Sequence, residues 1–170
     1  MTVNYEVAGI INPVNQGDSN LCWLATTATL LSWKQLVLMD MKATAKQLGP
    51  KFEFLLSQAA PLPAAAISEF MSRAKFVALA GQSRPARAWE SLLKAHGLLA
   101  VGVDADAPNN YMAHLITLYG IAGDGTLDGT KFKIIDPDGG IKKTLTFRQF
   151  GEMYSAYDAV NTPFNVFHNV

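Results

Sequence analysis

From Ser19 or Asn20 to about Lys34 the apolar residues recur at helical spacing, with Leu24, Ala28 and Leu31 in one stripe behind Asp18, Ser19 or Asn20 as a cap. The pattern predicts a helix whose first turn contains Cys22. Further helices are expected over Met39–Leu48, over Lys51–Ala60 after Gly49-Pro50, and over Ala64–Leu79 after Pro61 and Pro63. Ser83 is placed to cap the next one, with Pro85 near its first turn and Gly97 just past its end.

Beyond Gly97 the runs shorten. LLAVGV, HLITLYGI, KFKIIDP and IKKTLTF are β-branched or alternating segments separated by Asp, Asn, Gly and Pro clusters, the texture of an antiparallel sheet. Thr146 is positioned to cap a short helix through Tyr154, and FNVFHNV is expected to add an edge strand. A helical half over about residues 18–97 followed by a sheet half over about 98–170 is an α+β plan, read as a single domain over 1–170. A cleft is expected between the two layers, walled by residues 39–80 and 104–112.

Composition narrows the function classes. With 170 residues, 49% of them hydrophobic, the chain can build one continuous core. Fourteen basic and fourteen acidic side chains cancel, which disfavours a phosphate-tracking surface and so a nucleic-acid partner. No apolar run approaches the roughly 20 residues that cross a bilayer, so membrane insertion is not expected. The opening residues lack the basic stretch and apolar segment of a secretory signal. The chain therefore reads as soluble and made in the cytoplasm without a cleavable signal peptide, and export by a specialised secretion system is compatible with that reading.

Cys22 is the one cysteine, which excludes an internal disulfide and any multi-thiolate metal site. It is either a buried filler or a reactive thiol. In the first turn of a helix it would feel the partial positive charge of unpaired backbone N–H groups, which favours thiolate over thiol. Gln16 lies six positions upstream with Gly17 between, so a turn could fold its amide beside the sulfur and offer an N–H to an oxyanion. A glutamine in a loop is otherwise simply solvated, and Trp23 is expected in the core.

Three histidines could serve a thiolate. His96 precedes Gly97 at a helix end, where an imidazolium favoured by the helix dipole would act as a cap. His168, two residues from the last, is expected to be frayed. His114 opens the apolar strand HLITLYGI and is placed at the mouth of a sheet. An imidazole that shuttles protons needs its second nitrogen held by an acceptor. Asp136 closes the strand KFKIID, and if the two strands are antiparallel neighbours both residues reach the same sheet edge. Asp138 competes, but in a PDGG turn aspartate is expected for backbone reasons.

The segments QGDSNLCW, AHLITLYG and IIDPDGG, in that order, resemble the papain-like cysteine peptidases, and most closely the compact bacterial effector type with a Cys-His-Asp triad. The resemblance implies a papain-like fold, with a nucleophile at a helix N-terminus packed against a C-terminal antiparallel sheet. It also implies peptide-bond hydrolysis by Cys22, with His114 as general base and acid, Asp136 orienting the imidazole, and Gln16 with the Cys22 N–H as oxyanion hole. The partner implied is a protein or peptide substrate, with a cognate inhibitor or immunity protein as the further partner of a secreted toxin. No metal or other cofactor is required. The same thioester chemistry serves peptidoglycan amidases, deamidases and transglutaminases, and a catalytically silent papain-like binding module is the alternative of another class.

Overall fold

The structure, a computed structural model, describes residues 2–157 and 165–170. In chain order its elements are β1 (Val3–Glu6), α1 (Cys22–Gln35), α2 (Met41–Leu48), α3 (Pro50–Ser57), a 3-10 turn (Ala64–Ala66), α4 (Ile67–Arg73), β2 (Phe76–Leu79), α5 (Ala86–His96), β3 (Leu99–Asp104), β4 (Ala113–Gly123), β5 (Thr130–Asp136), β6 (Ile141–Thr146), α6 (Phe147–Ala156) and β7 (Val166–Asn169). The strands form one sheet in the order β2-β7-β3-β4-β5-β6, with β1 also paired to β4, and the paired strands run antiparallel. The α+β plan expected from the sequence is the one observed.

Helix α1 is buried on every side from Trp23 to Ser32. A helix apolar all round belongs inside a fold rather than on its surface, and α1 lies against β4, β3, β7 and α2. Two of its three threonines close their hydroxyls onto the preceding turn, Thr27 to the Trp23 carbonyl and Thr29 to that of Ala25, and the third, Thr26, finds an acceptor on β4, so burying them leaves no donor unpaired. The core is one continuous apolar cluster with two aromatic centres. Trp23 packs edge-on against Phe70 at 5.6 Å on the helical side, and Trp89 of α5 stands perpendicular to Phe150 of α6 at 5.2 Å beside Phe132 of β5.

Several local expectations are corrected by long-range pairing. The helix expected over Ala64–Leu79 ends at Arg73, because Lys75 turns the chain in the left-handed region and Phe76–Leu79 then pairs with β7. Asn169 fixes that junction by donating its amide to the Ala74 carbonyl at 2.6 Å. FNVFHNV does not supply an edge: Val166–Asn169 lies between β2 and β3, and its Phe164 falls outside the described residues. β1 lies in the opening segment, where no element was expected because four residues offer too short a pattern to recognise. α5 starts without a side-chain cap, Pro85 standing at the cap position where Ser83 was expected. The helix through Tyr154 forms as expected, with a reciprocal capping box between Thr146 and Gln149. Among the described residues no helix is long and apolar enough to cross a membrane.

Candidate active site

Cys22 is the first residue of α1, which begins two or three residues later than expected, and no side chain caps it. The reason is the turn before it. Ser19 Oγ donates to the Gln16 carbonyl at 2.5 Å, while the Ser19 carbonyl accepts from Gln16 Nε2 at 2.7 Å, so both groups of Ser19 close the 16–19 loop instead of the helix. The first hydrogen bonds of the helix run from Leu24 and Ala25 to the Leu21 carbonyl. The Cys22 N–H has no acceptor among the described residues, and unpaired N–H groups at a helix head attract negative charge.

One turn further on, buried Thr26 donates its hydroxyl to the Leu115 carbonyl at 3.1 Å. This bond sets the head of α1 against the start of β4, and it brings Cys22 to the strand position that carries His114. Nothing in the sequence singles Thr26 out among the three threonines of LATTATLL.

His114 and Asp136 meet as expected: His114 Nε2 donates to Asp136 Oδ1 at 2.8 Å, with both side chains largely buried. Their meeting follows from strand register. Thr117 of β4 stands opposite Ile135 of β5, so Asp136 faces the next residue back, Ile116, and His114 lies two residues further along on the same face. With Nε2 committed to the carboxylate, Nδ1 is the nitrogen left for the Cys22 sulfur. Burial pulls the His114 imidazole down, but the hydrogen bonds to Asp136 and Cys22 and the charges behind them outweigh it and raise its pKa from 6.5 to about 9. For Asp136 burial alone would push the carboxyl up; hydrogen bonds from His114, Lys143 and the Asp138 N–H hold it well below the usual carboxylate range.

Asp138 makes contact through its backbone only, its N–H donating to Asp136 Oδ1 at 3.0 Å, while its carboxylate sits on an exposed turn. Asp136 is thus the acceptor that the fold presents to His114. Lys143 donates to the other oxygen, Oδ2, at 2.6 Å, a contact absent from the sequence reading. Lysines in an alternating strand read as a solvated face, yet a parity count across the DPDGG turn would have put Lys143 on the side of Asp136.

Gln16 reaches the same neighbourhood through its backbone, its N–H donating to the Pro137 carbonyl at 2.8 Å. The loop and the turn approach so closely that a Cβ on Gly140 would come within 3.0 Å of Asn15 atoms, and Gly140 also adopts φ +62°. Of the two hydrogens on Gln16 Nε2 one is bound to Ser19; the second has no acceptor among the described residues.

Cys22 and His114 open into an apolar cleft of about 260 Å³ whose walls include Trp23, Leu62, Ile67 and Leu115. One wall comes from residues 61–67, within the expected 39–80 segment, whereas residues 104–112 contribute none of the lining. The other two histidines are elsewhere and differ from expectation. His168 is buried in β7 rather than frayed, and its ring stacks on His96 at 3.9 Å. Burial, and then the neighbouring His168, lower the pKa of His96, so the site favours a neutral ring and not a capping imidazolium. Among the described residues no group of three or more His, Cys, Asp or Glu side chains could hold a metal ion.

A thiol at a helix head, an imidazole beside it and a carboxylate behind the imidazole make an arrangement for acyl transfer. Comparison with known proteins agrees: the family model described as papain-like cysteine protease AvrRpt2 matches residues 4–155. The chain belongs to that family. Its members are papain-like cysteine proteases, so the chain is a cysteine protease and its substrate is a protein. The matched span runs from β1 into α6 and takes in Gln16, Cys22, His114 and Asp136. No curated protein matches the chain.

Proposed function

We propose that Cys22, His114 and Asp136 are the catalytic triad of this protease and that Gln16 and the Cys22 N–H form its oxyanion hole. The observation that carries the reading is the 2.8 Å hydrogen bond that holds His114 against Asp136 beside Cys22 at the head of α1. The Cys22 thiolate attacks the scissile carbonyl carbon, and the oxygen that becomes negative is met by the Gln16 amide and the Cys22 N–H. The C–N bond breaks as the His114 imidazolium gives its proton to the leaving amine, leaving a thioester. Water then attacks the thioester, His114 takes its proton, and the carboxylate product departs as the thiolate is restored.

The resemblance to compact bacterial effectors supports a secreted effector or toxin that cleaves a protein of another cell. The test is N-terminal sequencing of fragments produced by the wild-type chain and not by Cys22→Ala. New α-amino termini that depend on Cys22 support the assignment. Release of ammonia or of cell-wall fragments without new protein termini would replace it with a deamidase or an amidase.

A further inference from the structure

We infer that Lys143 is a positioning residue of the proposed triad, holding the Asp136 carboxylate in the orientation that His114 uses and partly offsetting its charge. The inference rests on the reading of Cys22, His114 and Asp136 as the triad.

Its basis is a row of three side chains across three adjacent strands. Asp136 is opposite Ile141 in the β5–β6 pair, and Lys143 is two residues beyond Ile141 on the same face, a diagonal distance that a lysine side chain spans. His114 makes the equivalent diagonal approach from β4. The central carboxylate is therefore gripped from both sides: Oδ1 by His114 and the Asp138 N–H, Oδ2 by Lys143 at 2.6 Å. Of the three donors only Lys143 binds Oδ2, so without it the carboxylate is free to swing about the Oδ1 contacts. Lys142 cannot substitute, because alternation turns it to the opposite face, where its ammonium lies over the Tyr119 ring at 5.3 Å.

The charge argument follows the same geometry. Among the described residues the charged partners that bear on His114 are Cys22 from α1 and Asp136 from β5, and the Tyr157 side chain lines the same cleft. On β3, Asp104 turns its carboxylate to the Asp106 and Met112 N–H groups instead. Lys143 acts on the imidazole through Asp136, and a cation beside that carboxylate weakens its hold on an imidazolium. Removing the cation leaves a looser but electrostatically stronger anion. A merely structural lysine would alter neither the His114 titration nor the pH profile.

The experiment compares wild type, Lys143→Met, Lys143→Arg and the control Lys142→Met, with Cys22→Ala as the blank. His114 is titrated by NMR of the imidazole nitrogens, assigned with His114→Gln, and kcat and KM for a cleaved peptide are measured against pH. Lys143→Met is expected to lower kcat roughly 3- to 30-fold at unchanged KM, and to move the His114 midpoint upward by several tenths of a pH unit. The midpoint difference should shrink at high salt, because the Lys143 side chain is 41% exposed. Lys143→Arg should restore most of kcat, and Lys142→Met should match wild type. An unchanged titration and kcat in a folded Lys143→Met would overturn the inference while leaving the triad intact. Peptide cleavage by Cys22→Ala at the wild-type rate would instead overturn the triad and this inference with it.

Discussion

The Gln16 N–H donates to the carbonyl of Pro137 at 2.8 Å, which ties the loop ahead of Cys22 to the turn that follows Asp136. The two ends of the proposed machinery, an oxyanion donor and the residue that orients the base, are thus held by one backbone contact. Chain segments some 120 residues apart become a single rigid rim, as electrostatic preorganisation of a site requires.

Cys22→Ala and His114→Ala should each reduce proteolysis to background, a loss of at least about 1000-fold, since neither thiolate attack nor proton transfer has a substitute. Both variants should keep their fold. Neither side chain belongs to the fully buried core, and Asp136 retains Lys143 and the Asp138 N–H when the imidazole is gone. The checks are fragment analysis and thermal unfolding; wild-type turnover in either variant would sink the mechanism.

Asp136→Ala should be milder than those two, because the imidazole still acts in a less populated orientation. Asp138→Ala should leave kcat/KM within about 3-fold, because only its backbone touches the site. If Asp138→Ala proves the more damaging of the pair, the third member has been misassigned.

The raised pKa of His114 fixes the sign of two pH effects. Donation of a proton to the leaving amine needs the imidazolium, so acylation should fall as pH rises through about 9, where His114 loses its proton. Because the folded pKa lies above the unfolded value of about 6.5, the stabilisation it represents is complete below that value and disappears as pH climbs toward about 9. Denaturant unfolding at pH 6 and pH 10 should accordingly show a larger loss for wild type than for His114→Gln. Equal losses would contradict the raised pKa.

Gln16→Ala should cut kcat by roughly 10- to 1000-fold, since an oxyanion donor acts only on charge that forms after attack on a carbonyl. Iodoacetamide reacts with the thiolate by displacement at carbon and forms no carbonyl oxyanion, so the rate of Cys22 labelling should change little. Loss of hydrolysis and labelling together would mean that Gln16 supports the fold or the thiolate. Loss of neither would assign the oxyanion hole to another donor.

Gly97→Ala tests the packing at the end of α1 opposite Cys22. Gly97 ends α5 at φ +77°, and a Cβ there would come within 2.0 Å of the Trp33 ring of α1. Strain of both kinds should cost about 2 kcal/mol or more, visible as a several-degree drop in Tm with kcat little changed. An unshifted Tm would show that the α1–α5 contact can relax.

Most of the elements were legible in the chain because helical and strand periodicities are local, and the change of texture at Gly97 in HGLLAVGV marks where α5 gives way to β3, although β1 and β2 lie ahead of it. The candidate site could be picked out for a similar reason. A lone cysteine at a helix head, a histidine opening one strand and an aspartate closing the next are positions that the pattern marks without coordinates. Registers of distant strands were not legible. Phe76–Leu79 carries a pattern compatible with helix until β7 pairs with it from about 90 residues away, and His168 looks frayed until that same strand is enclosed between β2 and β3. Thr26 and Lys143 stayed hidden on the same ground, as one polar residue in a buried helix and one lysine in an alternating strand. Their roles come from partners that only the folded chain supplies: the Leu115 carbonyl for Thr26, and a carboxylate diagonal across β5 and β6 for Lys143. Sequence periodicity decides which way a side chain faces, and tertiary packing decides what it meets.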